Sequence, residues 1–380
     1  AHASLPPVEL DSPEEINEGE RPLSDEEIAE LCTPEGDEPN FRAVEVNCGS
    51  LSAYNLFSDQ SDPTGGANDG ILYDLTTPLF TDYTAKYRYI YVPGGSTAAY
   101  SSRDALDFPV GTVLTKTFHY RYGARGFGTL DAVAQLTVDG SLSVEVDRVV
   151  ETRRLGRSGD GWKALPYVWN DEQTEAWLEV AGTQHAFSLG DDEFTYLVPD
   201  MNQCSACHAP DHSTKDIRPL GPKAHQLNRT FSYVDGEANQ LDHWAASGRL
   251  VGLPPSPPQS ARWSARDQGD RDALARVYLD VNCGHCHNPR GAADTSALNL
   301  DLDSDVDRAF GICKPPVAVG RGSGNRPYDI YPGRPNDSIL VYRMEHDDPA
   351  IMMPELGRAM AHDEGVALVR DWVAGLAGDC

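Results

Sequence analysis

The pattern C-x-x-C-H occurs twice in this chain, as CSACH at residues 204–208 and as CGHCH at residues 283–287. This pattern is the attachment site of a c-type haem. Two cysteines about one helical turn apart reach the two vinyl groups of one porphyrin, and the adjacent histidine points its imidazole at the iron. The sequence therefore predicts two covalently attached haem c groups, held by Cys204, Cys207, Cys283 and Cys286, with His208 and His287 as axial iron ligands.

A C-x-x-C pair has two other common uses, and both fit this chain less well. It can form a redox dithiol or half of a zinc site. A zinc site built from both motifs would use four cysteines and leave both motif histidines spare. A thioredoxin-like dithiol would lie in a βαβ unit and would need no histidine. Two copies that both keep the histidine therefore favour haem attachment.

The other four cysteines are Cys32, Cys48, Cys313 and Cys380. Because c-type haem is attached outside the cytoplasm, we expect these four thiols to be in an oxidising compartment and to pair. Of the three possible pairings, Cys32 with Cys48 is the local one, and Cys313 with Cys380 would tie the chain end to the second haem unit. We expect these two disulfides.

Composition narrows the possible partners and location. The chain has 31 Lys and Arg against 59 Asp and Glu, a net charge of −28, which disfavours binding to nucleic acid. The sequence contains no run of about 18 apolar residues, so no transmembrane segment is predicted. The sequence starts AHASLPPVEL, without a charged and then apolar leader. With two haem motifs, we expect an exported protein whose signal peptide has been removed, periplasmic, extracellular or at the cell surface.

The order of patterns predicts an α+β fold, with a β-rich, sandwich-like N-terminal domain followed by two small α-helical cytochrome c-type haem units. The acidic, proline-rich segment at the start of the chain is predicted to be an arm, either a flexible tether or a segment that packs on a neighbouring surface and through which the chain could self-associate. The predicted units are an acidic, proline-rich arm at 1–45 with a short helix near 24–32, a β-rich domain at 46–200, a first haem unit at 201–260 and a second at 261–380.

Local periodicity predicts individual elements. KYRYIYV at 86–92 alternates tyrosines with Arg88, Ile90 and Val92, and Asp139-Gly140 predicts a hairpin. The periodicity leaves a sandwich and a barrel-like sheet both open. Further predicted strands are VLTKTFHYR, RVVETRRL, AWLEVAG and HAFSL, and predicted helices cover about 237–247, 271–282 and 364–376.

The sixth ligand of each iron is less strongly specified. Met353 is followed by a proline in a loop ahead of the last helix, where a small cytochrome c places its thioether ligand, and Met352 is the alternative. For the first haem, Met201 and His212 are too close in sequence to the motif to cross the ring. His225 is the first candidate and His243 the second, and a five-coordinate iron is the third possibility.

Most of residues 70–380 resemble a family of bacterial dihaem c-type cytochromes in which a β-rich N-terminal region precedes two haem-binding units. The last domain is also similar to cytochrome c modules with an L-x-L-D strand, a PG-x-P-x-x-S stretch and a Met-Pro ligand loop, here Leu298–Asp301, Pro332–Ser338 and Met353-Pro354. The resemblance implies haem binding and supports Met353 as a ligand. The stretches that carry it include YDLTTPLFTDYTAKYRY, GWKALPYVWNDEQTEA, YLVPDMNQCSACH, YLDVNCGHCHNPRG and YDIYPGRPNDSILVYRM.

The sequence leaves three functions open. The first is electron transfer between redox partner proteins outside the cytoplasm, with no catalytic residue and an acidic surface that steers basic partners. The second is a haem enzyme, peroxidase-like or oxygenase-like, that uses an open site at the first haem. The third is an oligomeric or filament-forming electron conduit joined through the N-terminal arm.

Overall fold

A computed structural model describes residues 23–121, 147–189, 192–234, 236–317 and 319–380. It confirms an α+β chain. The helices are α1 (Asp25–Leu31), α2 (Met201–His208), α3 (Ala224–Leu227), α4 (Gln240–Ala246), α5 (Arg271–Leu279), α6 (Ile339–Glu345) and α7 (Asp363–Gly375). The strands are β1 (Ile71–Leu72), β2 (Ala85–Tyr91), β3 (Ala98–Ala99), β4 (Val113–Arg121), β5 (Asp147–Ser158), β6 (Gly161–Trp169), β7 (Ala176–Leu178), β8 (Thr183–Leu189), β9 (Asp192–Val198), β10 (Thr230–Tyr233), β11 (Gly236–Asn239) and β12 (Leu250–Val251).

The main sheet has six strands in the order β1-β2-β4-β5-β6-β7, and every neighbouring pair is antiparallel. The predicted strands VLTKTFHYR and RVVETRRL are β4 and the centre of β5. Within the described ranges no second sheet of comparable size packs on this one, so the sandwich-like arrangement is not seen there. The Asp139-Gly140 hairpin lies outside the described residues.

The main sheet is covered on both faces at β2. The predicted alternation in β2 is confirmed, with Tyr87, Tyr89 and Tyr91 on one face and Arg88 and Ile90 on the other. The tyrosine face packs against buried residues between 43 and 57, whereas the opposite face packs against the C-terminal half. This explains why all of β2 is buried.

The described part of the predicted arm packs on the same chain. Ser24 caps α1 in a reciprocal hydrogen-bonded box with Glu27, as helix-capping rules predict. The disulfide between Cys32 and Cys48 joins this helix to the segment under the tyrosine face, and the second disulfide links Cys313 to Cys380. Both predicted pairings are therefore confirmed.

The two predicted haem units differ in how they are packed. The last 120 residues have a core of their own, in which α5 and α7 pack around Trp263, Phe310 and Trp372. Residues 224–250 instead share one core with the main sheet, where Leu227 and Trp244 join a cluster with Ile90, the β4 residue Leu114 and others. Helix α4 begins at Gln240, later than predicted, because the preceding residues form β11.

No helix in the described ranges is long and apolar enough to cross a membrane.

The two disulfides are expected to stabilise the fold unequally. Cys313 and Cys380 are 67 residues apart in sequence, whereas Cys32 and Cys48 are 16 apart. A longer closed loop restricts the unfolded chain more, so replacing both cysteines of the larger loop by alanine should lower the free energy of unfolding by about 4 kcal/mol, against roughly 3 kcal/mol for the smaller. Guanidinium unfolding of the two double variants tests this order, and a larger loss for the smaller loop would contradict it.

Candidate haem-binding site

The first motif lies on the short helix α2. Asp200 caps this helix: its carboxylate accepts the N–H of Gln203, and the Gln203 side chain accepts the N–H of Asp200. On a helix, positions three and four apart share a face. Cys204, Cys207 and His208 therefore point to the same side, with Cys204 buried and the other two half-buried.

The second motif follows α5, which ends earlier than the predicted helix. Asp270 caps α5, and the chain then passes through a π-helical turn, Asp280–Gly284, that contains Cys283. Asp280 is buried in this turn, where its carboxylate accepts from Lys223 Nζ at 3.2 Å and from the Leu302 N–H at 3.2 Å. Such single π-turns are frequent at functional sites.

The loop after the second motif holds it by backbone hydrogen bonds. The N–H of Leu300 donates to the carbonyl of His287 at 2.9 Å, and the N–H of Asn299 donates to the carbonyl of Ala309 at 2.8 Å. The strand that the resemblance implied at Leu298–Asp301 is not formed, because these groups bond to loop carbonyls instead of to a neighbouring strand.

Both motif histidines are held in the tautomer that a metal needs. His208 Nδ1 lies 3.0 Å from the carbonyl of Arg218, which can only accept, so Nδ1 carries the proton. His287 Nδ1 lies 3.0 Å from Ser296 Oγ, whose own proton goes to the Ala293 carbonyl. In each ring the Nε2 lone pair is then the one that can bind iron, as is usual for metal-ligating histidines.

The same two rings stay neutral over a wide pH range. Burial, together with the nearby Lys116 charge, lowers the pKa of His208 to about 4. Burial, together with His285, lowers the pKa of His287 to about 4 as well. A neutral imidazole is the form that ligates a metal, so both environments suit an axial ligand.

The two motifs, 79 residues apart in sequence, meet in space. Ligand atoms of Cys207, His285 and Cys286 all lie within 4.8 Å of one another. Cys286 Sγ donates to the Ala206 carbonyl at 3.5 Å, and the His212 N–H donates to a carbonyl just after the second motif at 2.9 Å. The hydrogen bond between the two thiols lowers the pKa of Cys207 and raises that of Cys286.

This meeting point does not supply the ligand set of a structural zinc site. Such a site needs four ligands in a tetrahedron. In the described part of the chain the cluster has three members and excludes Cys204 and Cys283. Burial raises the pKa of Cys204, and it raises that of Cys283 to about 12.

Two adjoining cavities border the motifs. The narrow cavity, about 90 Å³, is lined by residues of both motifs and by Met353. The wide cavity, about 1030 Å³, is lined by His208 and His285 and lies against the main sheet. Ligand pockets are typically about 300–1,000 Å³, so the wide cavity has room for a porphyrin beside His208. Two thiols and a neutral imidazole at each motif also match the donor set of haem c.

Of the four candidates for a sixth ligand, Met353 is the one that lines one of the two cavities. Met353 lines the narrow cavity together with Cys283, whereas Met352 is buried and is not among the lining residues. His225 is buried with an unpartnered Nδ1 but lines neither cavity, and His243 stacks on Tyr233 at 3.8 Å between ring centres. Met353 and His225 both stay predictions as ligands.

Sequence reasoning missed several residues at the cavities. Arg358 is buried and donates to four carbonyls, including those of Arg343 and Met353, so it fixes the Met353 loop. Lys116 and Arg153 project from β4 and β5 into both cavities. Lys116 had a signal in the sequence, because it lies between Leu114 and Phe118 on one face of a predicted strand, whereas Arg153 lies in a strand of many charged residues and had none.

Burial of His362 is expected to make the fold acid-sensitive. Its ring stacks on Phe80 at 4.4 Å, and Tyr278 Oη lies 2.8 Å from its Nδ1. Burial, aided by Lys86, Arg266 and Arg358, lowers the pKa of His362 to about 3. In the unfolded chain histidine titrates near pH 6.5. Stability is therefore lost as the pH falls from about 6.5 to 3, because only the unfolded chain takes up the proton.

The variant His362→Gln tests this effect. Between pH 7 and pH 4 its free energy of unfolding should fall by about 3 kcal/mol less than that of the wild type, since one pKa unit is about 1.4 kcal/mol. Chemical denaturation across that pH range measures the slope, with His243→Gln at the half-exposed ring as the matched control. Parallel pH profiles for wild type and His362→Gln would contradict the assignment.

Comparisons of this chain with family models, curated proteins and solved structures found no match.

Proposed function

We propose that this chain is a dihaem c-type cytochrome that carries electrons between partner proteins outside the cytoplasm. The observation that carries the proposal is the convergence of the two C-x-x-C-H motifs, with ligand atoms of Cys207 and Cys286 within 4.8 Å. Iron held by haem at each motif supplies one-electron chemistry, cycling between the ferric and ferrous states. No catalytic residue is needed for that role.

The chain itself supplies attachment and ligation. Cys204 and Cys207 would hold one haem, and Cys283 and Cys286 the other. His208 and His287 would each present Nε2, because the Arg218 carbonyl and Ser296 Oγ fix the proton on Nδ1. Since the two motifs are in contact, the two cofactors would be neighbours, which shortens the path for electron exchange between them.

The disulfides and the charge support the proposed setting. Two disulfides are typical of proteins in an oxidising compartment, such as the periplasm or the cell exterior. A net charge of −28 favours redox partners with a basic docking surface, because complementary charge speeds encounter.

A second candidate function, a haem enzyme, is favoured by one observation. The wide cavity lies beside His208, and His225, the first candidate for a sixth ligand there, does not line it. A cavity next to an iron without a second protein ligand would admit a small substrate.

Electron paramagnetic resonance and a redox titration of the purified protein separate these functions. An electron carrier should show two low-spin irons, unchanged by cyanide, and should take up two electrons per chain. A high-spin signal that cyanide converts to low-spin would favour the enzyme instead. A protein without haem would overturn both.

A further inference from the structure

Three cations stand side by side on the sheet face that borders the wide cavity. In the strand register Arg88 of β2 is opposite Lys116 of β4, and Lys116 is opposite Arg153 of β5. Like charges directly opposite on neighbouring strands destabilise a sheet. We call Arg88, Lys116 and Arg153 the cation row.

The two carboxylates that pair with the cation row, Asp74 and Glu151, each bind a second group as well. Asp74 lies 3.4 Å from Arg88 but only 2.7 Å from Arg229, so it serves two guanidinium groups. The Glu151 carboxylate accepts two hydrogen bonds from the Arg153 guanidinium, the shorter of them 2.6 Å. It also accepts a hydrogen bond of 2.6 Å from the Tyr196 hydroxyl.

Lys116, at the centre of the row, has no anionic partner in the described ranges. Its Nζ forms no ion pair with a carboxylate there, and it lies over the Phe118 ring, 5.0 Å from the ring centre. Burial, with Arg153 and Arg88 beside it, lowers the pKa of Lys116 to about 7. Lys116 is half-buried, and a partly desolvated cation without a partner is costly, so an anion placed here would stabilise the row.

The cation row faces the wide cavity, where an anion could bind. All three cations line the wide cavity, and Lys116 and Arg153 line the narrow one as well, together with His208. The wide cavity is lined by eight Lys or Arg and six Asp, whereas the chain as a whole has 31 basic and 59 acidic residues. This lining has an excess of two basic residues, in contrast to the net charge of −28 of the chain, and therefore favours an anionic ligand over a cationic one.

We propose that Arg88, Lys116 and Arg153 form a carboxylate- or oxyanion-binding site on the wall of the cavity that His208 lines. The ligand has one of two sources: a propionate of the haem carried by the first motif, or a small free oxyanion. The propionate source rests on the proposed function, and the free-oxyanion source does not. Arg153 and Lys116 would donate charge-assisted hydrogen bonds to the ligand.

Lys116→Met in the holoprotein tests the propionate source. Without its cation, the propionate charge would favour ferric iron, so the midpoint potential of one haem should become more negative while the other is unchanged. Lys163→Met is the matched control, because Lys163 lies on β6 and donates to the Glu45 carbonyl instead. Lys116→Arg keeps the charge and should keep the wild-type potential, which separates charge from packing.

Inorganic phosphate, titrated calorimetrically into the wild type and Lys116→Met, tests the free-oxyanion source. A potential shift confined to Lys116→Met assigns the site to a propionate. Unchanged potentials with phosphate binding that Lys116→Met weakens tenfold or more assign it to a free oxyanion. Unchanged potentials without Lys116-dependent phosphate binding overturn the proposal. A wild type without covalent haem overturns the proposed function, and the phosphate titration alone then decides the anion site.

Discussion

A variant in which Cys283 and Cys286 are both serine is expected to carry one covalent haem per chain instead of two. Serine oxygen does not form the thioether that holds haem c, and His287 alone would leave the cofactor exchangeable. The Soret absorbance per chain should fall to about half, and the intact mass should decrease by one haem beyond the change from the two substitutions. Cys283 lies in the core of the last 120 residues, so this region should also lose stability.

The reciprocal variant and a control make this test specific. Cys204→Ser with Cys207→Ser should remove the other haem and leave the second motif loaded. The double variant Cys313→Ser with Cys380→Ser removes two cysteines that form a disulfide, and it should keep both haems. Full haem content in either motif variant, after denaturation and extraction, would refute covalent attachment at that motif.

Met353→His is expected to lower the midpoint potential of one haem by on the order of 0.1 V or more, within the roughly 0.8 V range that axial ligands cover. Methionine raises the potential relative to histidine because the thioether favours ferrous iron. Met353 lines the narrow cavity, which residues of both motifs line. Its assignment to the second haem rests on its place in the loop ahead of the last helix. Spectroelectrochemical titration would show one wave moved and one unchanged.

The neighbouring methionine provides the matched control. Met352 is buried and does not line that cavity, so Met352→Leu should leave both potentials at their wild-type values. A shift in Met352→Leu with none in Met353→His would reverse the assignment of the ligand. Unchanged potentials in both variants would show that neither methionine binds iron.

Elements determined by local sequence were predictable. The alternation of β2, the extents of β4 and β5, the Ser24 cap of α1 and the amphipathic face of α5 all depend on residues within a few positions of one another. The disulfides were predictable for another reason: removing the four motif cysteines leaves few pairings, and the observed two include the local one.

Features that depend on distant segments were not predictable. The contact of Cys207 with Cys286 joins positions 79 residues apart, and the alignment of Lys116 with Arg153 depends on strand register. The shared core of Trp244 with the sheet likewise comes from packing that no local pattern encodes. The end of α5 at Leu279 coincides with the buried Asp280, whose carboxylate binds Lys223, 57 positions away in the sequence.

We expect this chain to carry two covalently attached haems, one at each C-x-x-C-H motif. Intact mass spectrometry of the purified protein under denaturing conditions, with mapping of the modified peptides, tests this directly. The expected result is the chain mass plus two haems, found on peptides that contain Cys204 with Cys207 and Cys283 with Cys286. Unmodified thiols, a bound metal ion or a disulfide at these four cysteines would contradict it.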